Sequence, residues 1–497
     1  MPSNQRADLD ADVLIIGAGL SGIGAACQLT RRRPNTTYLI LEARADLGGT
    51  WDLFRYPGVR NDSDMFTFGY GFRPWRGPRS IASGQAIHTY LRETAQEYVV
   101  TDRIRYHHRV VAAQWSSAQA RWTLDVEVTS ANDEAAGATD VIQLTCGFLW
   151  SNTGYYRYDH GHAPDISGLD TFAGTLIHPQ HWPNGFDATG KRIVVIGSGA
   201  TAVTLVPALA RDAAEVIQIQ RTPTYVAARP TIDALAARLA GRIPQRMTQR
   251  VMRMKYVLDA QVTYLLSQRL PGLVKAVLRR RARRLLPEGF DVASAFQPDY
   301  NPWDQRICVA ADGDLFDSIT SGRSRIVTSA IERVVPGGLQ LIDGGMVQAD
   351  VIITATGLDL LMLGGISLRV DGCSIDPADT TLFRGALLSG VPNFAFTLSV
   401  VTASWTLRSD LSAIFVCRVL AHIQRHGYGS VTPRLPAEAA CWRMSPLLGY
   451  GSSYIQRSRS LLPTQGPRAP WNTSENHLTA VMAMKYRRVD HPDLCFT

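Results

Sequence analysis

The clearest pattern along the chain is a short, largely apolar run that leads directly into a glycine-rich turn. It occurs twice, at 11–16 and again at 192–196. Runs of this length and composition are typical of strands buried on both faces of a parallel sheet. A stretch rich in alanine follows the first turn and predicts a helix. The repeated pattern therefore predicts an α/β fold with two Rossmann-like units, each able to bind a dinucleotide.

The first turn carries glycines at the spacing that a bound pyrophosphate requires. Gly17 allows the sharp turn, Gly19 lets the backbone approach the phosphates, and Gly22 lets helix and strand pack closely. Ser21 lies in the same turn. Glu42 follows the next apolar strand, where a carboxylate can accept hydrogen bonds from both ribose hydroxyls and would repel a 2′-phosphate. The first unit is therefore predicted to bind FAD or NAD rather than NADP.

The second unit has a different charge in the corresponding place. Its turn supplies the predicted nucleotide-binding residues Gly197, Ser198, Gly199, Ala200 and Thr201. After the next strand, at 216–220, the chain has Arg221 and Thr222 where an NAD-binding unit has an acid. A guanidinium can pair with a 2′-phosphate, and a threonine hydroxyl can add a donor. The second unit is therefore predicted to bind NADPH.

Three other segments have patterns of their own. The segment 48–62 is rich in glycine and aromatic residues without a regular period, which suits a loop that wraps a flat ring system. Between 103 and 150 apolar and polar residues alternate, which predicts a small antiparallel sheet with a hairpin near 132–137. The apolar run 349–354 predicts another buried strand.

The segment 227–300 predicts a helical insertion. Its apolar residues recur at helical spacing, and its later part is strongly basic. The cations of that part are Lys275, Arg279, Arg280, Arg281, Arg283 and Arg284. One interpretation is a basic amphipathic face that contacts anionic lipid, and the other is a solvated cationic side of the insertion. We favour the second.

Composition limits the classes of protein to which the chain can belong. A length of 497 residues with 45% hydrophobic residues suits two or three globular domains. The net charge of +8 comes without zinc spacing or interleaved aromatic residues, so nucleic-acid binding is not expected, and no metal site is predicted. Seven scattered cysteines predict reduced thiols in a cytoplasmic protein, and the lack of a close pair argues against a disulfide reductase. No signal peptide or membrane-spanning run is expected.

One segment between the two units carries a family resemblance. Residues 172–183 have the pattern F-x-G-x-x-x-H-x-x-x-W-P, with His178 in the middle and Trp182-Pro183 at the end. The pattern resembles the fingerprint of the Baeyer-Villiger monooxygenases, flavoproteins that use FAD, NADPH and dioxygen to convert ketones into esters or lactones. The likeness is closest to the branch that contains the ethionamide-activating monooxygenase. The related flavin N- and S-monooxygenases have a similar segment without the Trp-Pro ending.

The resemblance implies roles for residues outside the two turns. In the family, the equivalents of Thr50, Trp51 and Asp52 line the flavin, and the equivalent of Asp62 lies at the active centre. It also implies that the amide of Val110 reaches the adenine and that Trp405 lies near the nicotinamide. Arg306 matches the arginine that enters the flavin pocket, whereas Gln305 replaces the lysine that usually precedes it. Arg221 is therefore expected to carry more of the contact with the NADPH phosphate.

The implied reaction proceeds through a C4a-peroxyflavin that attacks a ketone carbonyl. Arg306 and Asp62 are the predicted catalytic residues: Arg306 holds the peroxide as an anion, and Asp62 orients Arg306 and balances its charge. The implied partners are a small ketone, or a thioether or thioamide, and dioxygen. Two alternatives stay open, namely an S- or N-oxygenase and a flavin-binding membrane-surface protein without oxygenase activity. The identity of the substrate is not predicted.

The predicted division of the chain follows from these assignments. Both nucleotide-binding domains are built from two separate stretches of sequence, with a helical insertion inside the second domain. The predicted limits are 1–152 and 359–497 for the FAD domain with a C-terminal tail, 153–226 and 303–358 for the NADPH domain, and 227–302 for the insertion.

Overall fold

The computed structural model describes residues 9–129, 139–398, 404–448, 451–473 and 476–497. The hairpin predicted near 132–137 lies outside these residues.

The strands of the described residues form two main parallel or mixed sheets and several small ones. In chain order they are β1 (Ala11–Ile16), β2 (Tyr38–Leu41), β3 (Ile104–Arg105), β4 (His108–Ser116), β5 (Arg121–Thr129), β6 (Thr139–Ser151), β7 (Thr175–Ile177), β8 (Arg192–Ile196), β9 (Glu215–Gln220), β10 (Val226–Arg229), β11 (Cys308–Ala311), β12 (Ser324–Thr328), β13 (Ile331–Val335), β14 (Gly338–Leu341), β15 (Met346–Gln348), β16 (Val351–Thr354), β17 (Ser367–Val370), β18 (Cys373–Ile375), β19 (Leu382–Phe383), β20 (Leu387–Leu388), β21 (Phe394–Phe396), β22 (Val431–Pro433), β23 (Ser445–Pro446), β24 (Thr464–Gln465) and β25 (Leu494–Phe496).

The helices range from single turns to a helix of 25 residues. In chain order they are α1 (Leu20–Arg32), α2 (Thr50–Leu53), α3 (Met65–Phe68), α4 (Gly84–Glu97), α5 (Ala200–Leu209), α6 (Ala234–Leu239), α7 (Gln245–Arg269), α8 (Pro271–Leu285), α9 (Val292–Phe296), α10 (Asp314–Thr320), α11 (Trp405–His426), α12 (Ser453–Arg457) and α13 (His477–Val481).

The first sheet has β1 near its centre, parallel to β2 on one side and to β6 on the other, so that Val13 lies opposite both Tyr38 and Phe148. The predicted antiparallel strands β4, β5 and β6 are present. The sequence predicted that they form a separate small sheet, and this prediction is wrong. The reason is that β6 has 13 residues and pairs with β5 as well as with β1. One continuous nine-stranded sheet results.

The second sheet has five strands in the order β12-β9-β8-β16-β7, and all neighbours are parallel. Its inner residues Val194, Ile217 and Ile352 are fully or almost fully buried, as the apolar runs predicted. Every strand of this sheet comes from the segment 175–354, whereas the first sheet also takes strands from the segment 367–396. The α/β class with two dinucleotide-binding folds is therefore confirmed, while the exact domain limits stay a prediction.

Three elements refine the expectations for individual segments. The loop 48–62 contains one helical turn, α2, so it is not wholly irregular. In the C-terminal segment, which the sequence left unassigned, β25 pairs with β22. Helix α11 packs along α1, the helix that follows the first glycine-rich turn.

The insertion consists mainly of the two long helices α7 and α8, joined at Leu270. The apolar residues with helical spacing do lie on helices, but most of them face solvent instead of a core. Among the described residues, no helix is both long enough and apolar enough to span a bilayer.

Candidate active site

A cavity of about 700 Å³ opens at the carboxyl ends of β1, β2 and β6. Each strand delivers residues to it: Gly17 and Gly19 follow β1, Glu42 follows β2, and Asn152 follows β6. Carboxyl ends of parallel strands are the usual place for ligands in open α/β sheets. The loop after α2, the segment before β11 and the start of α11 close the cavity.

The glycine-rich turn is as tight as its sequence predicts. Gly17 has a φ of +96°, and a Cβ atom there would lie 2.7 Å from the carbonyl oxygen of Asn152. A Cβ atom on Gly22 would lie only 1.8 Å from the carbonyl oxygen of Gly17. Helix α1 begins after Gly19, and no side chain caps its first amides. These amide donors and the positive end of the helix dipole are thus left for an anionic ligand.

Glu42 is buried and held in one orientation. One carboxylate oxygen accepts a hydrogen bond from the amide of Ala18 at 2.7 Å, and the other accepts one from the amide of Arg44 at 2.9 Å. Burial raises the pKa of Glu42, and the two backbone donors oppose that rise. Each oxygen keeps a lone pair that can accept from a ribose hydroxyl, so the geometry suits the predicted role.

The predicted flavin-lining residues divide into two groups. Thr50, Trp51 and Val110 line the cavity, together with Ser21 from the first turn. Asp52 does not line it, which differs from the expectation.

The reason for this difference is that the buried carboxylate of Asp52 pairs with two arginines. It lies 2.6 Å from a guanidinium nitrogen of Arg44 and 2.9 Å from one of Arg55. Burial alone would raise the pKa of Asp52, but the hydrogen bonds from Arg44 and Arg55 lower it. Arg44 itself lines the cavity, so Asp52 is connected to the site through this ion pair.

Arg306 and Asp62 meet at the cavity. Nη1 of Arg306 lies 3.3 Å from Oδ2 of Asp62, and both residues line the cavity wall. Arg306 stands just before β11, and Asp62 stands in the loop after α2. Two residues that are 244 positions apart in the printed sequence thus form one ion pair. Its side chains are partly exposed, at 46% for Arg306 and 30% for Asp62, so a ligand in the cavity can reach them.

Trp405 is the first residue of α11 and lies against the first turn. Its indole nitrogen donates a hydrogen bond to Oγ of Ser21 at 2.6 Å, and its ring stacks on Tyr155 with centroids 5.4 Å apart. The hydroxyl oxygens of Tyr155 and Tyr156 are 3.0 Å apart. Tyr454 completes this aromatic wall of the cavity.

The three tyrosines were not predicted from the sequence. Burial raises the pKa of Tyr155, Tyr156 and Tyr454, so all three phenols stay neutral and can donate hydrogen bonds. A signal existed for two of them, because Tyr155 and Tyr156 come shortly after a strand that runs beside β1, where ligand-binding residues collect. Tyr454 comes from the C-terminal segment, which gave no such signal.

The second glycine-rich turn forms a separate, open site. Gly197 has a φ of +136°, and a Cβ atom there would lie 2.3 Å from the carbonyl oxygen of Ala355. Gly199 precedes α5, has no atom within 4 Å of the position of a Cβ atom, and leaves the first amides of the helix without a side-chain cap. Arg221 and Thr222 are exposed just beyond β9. None of the seven residues predicted for NADPH lines the cavity of the first unit.

The two units touch next to this second turn. Tyr56, from the loop after α2, is hydrogen-bonded to Thr201 at the start of α5, and burial raises the pKa of Tyr56 to about 12. Gly58 packs on the same helix, since a Cβ atom there would lie 3.0 Å from Cβ of Ala208. Within the second unit, the carbonyl oxygen of Ser198 lies 4.0 Å from Sγ of Cys308.

Comparison with known proteins gives a consistent result. Residues 78–359 match the model of the flavin-binding monooxygenase-like family, and residues 15–93 match an NAD(P)-binding Rossmann-like domain. The chain is 44% identical over 487 residues to the FAD-containing monooxygenase EthA of Mycolicibacterium smegmatis, which covers 98% of this chain and 97% of the relative. The chain belongs to the flavin-binding monooxygenase-like family. The predicted flavoprotein monooxygenase is thereby confirmed at the level of the family.

Other relatives of this flavin-binding monooxygenase-like protein agree. The putative FAD-containing monooxygenase MymA of Mycobacterium tuberculosis is 44% identical, with 93% of this chain and 92% of the relative covered. Among solved structures, OTEMO in complex with FAD and NADP has a TM-score of 0.72 at 22% identity and covers 98% of this chain and 100% of that one. Oxidised steroid monooxygenase bound to NADP has a TM-score of 0.70 at 23% identity, covering 87% and 89%. At these identities the solved structures show a shared fold.

The residues of this flavin-binding monooxygenase-like chain fit a flavin nucleotide in the first cavity. The uncapped amides of α1 suit a pyrophosphate, Glu42 suits a ribose, and Trp51 and Trp405 add flat aromatic surface. The EthA relative is an FAD-containing monooxygenase by name, and the OTEMO structure holds FAD and NADP, the same pair that the two turns predict here. We call this space the flavin cavity.

The family fingerprint at 172–183 lies at the junction of the two units and does not line the flavin cavity. Nε2 of His178 is 3.3 Å from the carbonyl oxygen of Gly357, and its ring fills the space beside Gly161, where a Cβ atom would lie 1.8 Å from it. Nearby, Nδ1 of His162 is 3.1 Å from Asp359. The two stretches of chain that connect the units are therefore fastened to each other, and His178 holds this junction.

Proposed function

We propose that this flavin-containing monooxygenase uses NADPH and dioxygen to insert one oxygen atom beside a ketone carbonyl, which gives an ester or a lactone. The observation that carries the proposal is the Arg306–Asp62 ion pair at the flavin cavity. The Trp182-Pro183 ending of the fingerprint supports the ketone-oxidising branch over N- and S-oxygenases. FAD would be held by the first turn with Glu42, and NADPH by the second turn.

Arg306 supplies a permanent positive charge to the reaction. When bound, FAD takes a hydride from NADPH and activates dioxygen. The guanidinium of Arg306 does not lose its proton at any working pH, so it stabilises negative charge that develops on an oxygen atom in the cavity. Asp62 forms an ion pair with Nη1 of Arg306 and thereby limits the directions in which the guanidinium can point.

The aromatic wall limits the access of water to the reacting atoms. Trp405 and Tyr155 are stacked, and Tyr155 and Tyr156 share a hydrogen bond, so these rings support one another. Their phenols remain neutral, which avoids a second negative charge beside Asp62. A neutral phenol can also donate a hydrogen bond to a carbonyl oxygen of the substrate.

Arg221 is the proposed reader of the NADPH 2′-phosphate. It lies exposed beyond β9, beside the open turn of the second unit. The neutral side chain of Gln305 stands directly before Arg306, so that position cannot add the positive charge that a lysine would bring. A single cation at Arg221 is expected to carry most of the preference for NADPH over NADH.

Product analysis tests the proposal directly. The FAD-loaded enzyme is given NADPH, oxygen and an equimolar pair of a cyclic ketone and a dialkyl thioether, and both products are measured against the NADPH consumed. The proposal expects a lactone in near one-to-one ratio with NADPH. Formation of the sulfoxide alone would identify an S-oxygenase instead. Release of hydrogen peroxide without either product would contradict oxygenation of both substrates.

A second function, docking on a lipid surface, is favoured by one observation on the insertion. A stripe of large apolar side chains runs along α7 and into α8, with each side chain between 41% and 56% exposed. Its members are Met247, Val251, Met254, Leu258, Val262, Leu265, Leu266, Leu270, Leu273 and Val277. Within α7 they recur at intervals of three or four residues, which puts them on one face. We call this set the apolar stripe.

The charge around the apolar stripe selects the kind of surface. Residues 245–285 hold eleven lysines and arginines and one acid, Asp259. An exposed apolar face flanked by cations matches helices that lie in the interface of anionic bilayers. The proposal therefore commits to anionic lipid and reverses the preference for a solvated face that the sequence alone suggested.

Vesicle sedimentation tests this second function. The enzyme is expected to sediment with vesicles of equal parts phosphatidylglycerol and phosphatidylcholine at low salt, and much less with phosphatidylcholine alone. The double variant Leu258→Ser/Val262→Ser should lose most of this binding. Val141→Ser/Ile342→Ser removes two exposed apolar side chains elsewhere and should keep it. Equal binding by both double variants, or a concentration-dependent dimer that Leu258→Ser/Val262→Ser disrupts, would contradict lipid docking.

A further inference from the structure

A second cavity, of about 320 Å³, lies between α11 and residues 469–472 and 479–491 of the C-terminal segment. It shares no lining residue with the flavin cavity. Its charged lining residues, apart from a histidine, are Arg384, Arg408, Arg487, Arg488 and Asp490. Four arginines and one aspartate thus line a small space that is partly open to solvent, which we call the arginine cavity.

Arg384 and Arg408 are the buried members of this group. Arg384 stands between β19 and β20 and is only 7% exposed. Its guanidinium lies over the rings of Phe383 and Phe415, at 5.4 and 5.3 Å from their centroids. Within the part of the chain that the structure describes, its Nη1 has no hydrogen-bond partner. A desolvated cation with an unused donor therefore lines the cavity.

The neighbouring charges do not neutralise Arg384. Asp490 pairs with Arg488 at 3.1 Å, and neither Arg384 nor Arg487 forms an ion pair with any described residue. Burial, and then the charges of Arg418 and Arg487, lower the pKa of Arg384 to about 10, so it is still a cation at neutral pH. Buried charges in proteins are normally paired, and the described residues supply no anionic partner for this group.

We propose that the arginine cavity binds the phosphate group of a small organic phosphate monoester. Guanidinium groups recognise phosphate through paired N–H donors, and a phosphate dianion has enough oxygens to accept from several arginines at once. A carboxylate has only two oxygens and can therefore engage fewer of these guanidinium groups than a phosphate can. The remaining wall contains Ala480, Ala483 and Met484, which suits the carbon part of such a ligand.

The same contacts indicate what binding would do to the protein. Nη1 and Nη2 of Arg418 donate to the carbonyl oxygens of Met484 and Arg487, both at 2.7 Å, and thereby attach the C-terminal segment to α11. Nη1 of Arg408, from the same helix, lies 3.7 Å from Sδ of Met484. A phosphate held between these two elements adds bonds that the unfolded chain cannot make, so the ligand stabilises the folded enzyme.

Calorimetric titration of the FAD-loaded enzyme with inorganic phosphate and with phenyl phosphate tests the proposal, at constant ionic strength in chloride. Because Arg384 is buried and its replacement endangers folding, the test uses the exposed pair in Arg487→Gln/Arg488→Gln. The matched control Arg425→Gln/Arg443→Gln removes two exposed arginines outside the cavity. Arg221→Ala controls for phosphate binding at the NADPH site.

The expected result is saturable binding of one phenyl phosphate in the unaltered enzyme. The dissociation constant should rise at least tenfold in Arg487→Gln/Arg488→Gln and change less than twofold in Arg425→Gln/Arg443→Gln and Arg221→Ala. Phenyl phosphate should bind at least as tightly as inorganic phosphate. The proposal would be overturned if phenyl phosphate showed no saturable binding, or if it bound clearly more weakly than inorganic phosphate. It would also be overturned if Arg425→Gln/Arg443→Gln lost as much affinity as Arg487→Gln/Arg488→Gln, or if Arg221→Ala lost affinity.

Discussion

Nη1 of Arg306 and Oδ2 of Asp62 are 3.3 Å apart, although the first residue comes from the segment before β11 and the second from the loop after α2. The pair therefore forms only when the two nucleotide-binding units are docked. Tyr56 and Gly58 keep the loop that carries Asp62 in contact with α5 of the second unit. A charge from one unit is thus presented in the flavin cavity of the other.

Replacement of Arg306 by alanine is expected to abolish oxygenation and to leave FAD bound. Loss of one preorganised group that stabilises developing charge costs about a hundredfold or more in rate. Product formation should fall by that factor, while NADPH is still consumed and hydrogen peroxide is released. Arg325→Ala is the matched control, because Arg325 pairs with Glu215 at 2.8 Å on the edge of the second sheet. Normal yields of oxygenated product from Arg306→Ala would contradict the role of this residue.

Replacement of Arg221 by alanine is expected to weaken the binding of NADPH and to leave the binding of NADH unchanged. A lost hydrogen bond to a charged group costs about 1.5–3 kcal/mol, which corresponds to a rise of roughly tenfold to a hundredfold in the KM for NADPH. Steady-state kinetics with both nucleotides measure this change. Equal changes in the KM for NADPH and for NADH would show that Arg221 does not contact the 2′-phosphate.

Replacement of Gly22 by alanine is expected to destabilise the first unit, because the new methyl group would lie 1.8 Å from the carbonyl oxygen of Gly17. Overpacking of this kind costs about 1–3 kcal/mol or more. The FAD content and the midpoint of thermal unfolding should both fall. Gly199→Ala places the same methyl group in open space and should leave the unfolding midpoint within a degree or so. A normal FAD content in Gly22→Ala would contradict the close approach of helix and strand.

Acid is expected to destabilise the protein partly through His477. Burial, and then the charges of Arg253 and Arg408, lower its pKa from 6.5 to about 4. Between these two values the unfolded chain binds the proton more readily than the folded one, so the free energy of unfolding falls as the pH drops from 6.5 to 4. The contribution is roughly 1 kcal/mol for each pH unit and is absent above pH 6.5.

Urea unfolding of the unaltered protein and of His477→Gln at several pH values measures this contribution. The variant lacks the titrating group, so the difference in stability between the two proteins should change between pH 6.5 and 4 and be constant from pH 7 to 8. Parallel stability curves over the whole range would show that His477 has an ordinary pKa.

The sequence predicted those parts of the fold that depend on local pattern. The strands at 11–16 and 192–196 coincide with β1 and β8, and the run 349–354 contains β16, because buried parallel strands are read from continuous apolar residues. The positions of the glycines in both turns were also predictable, because a side chain at Gly17, Gly22 or Gly197 would clash with a backbone carbonyl oxygen.

What the sequence could not predict depends on contacts between distant segments. Asp52 was expected to line the cavity, but it is not among the lining residues, and its carboxylate pairs with Arg44 and Arg55. Tyr454 enters the cavity from a segment without a regular pattern. The exposure of Leu258 and Val262 could not be predicted either. Helical spacing shows that residues share one face of a helix, but it does not show whether that face meets solvent or the core.

The packing of α11 against α1 also bears on the order in which the two units fold during synthesis. As the chain leaves the ribosome, the second sheet has all its strands once Thr354 has appeared. The first glycine-rich turn is made hundreds of residues earlier, yet the helix that covers α1 ends only at His426. Domains fold as units during synthesis, so we expect the second nucleotide-binding unit to fold before the first. The first unit can complete its fold only after α11 has been synthesised.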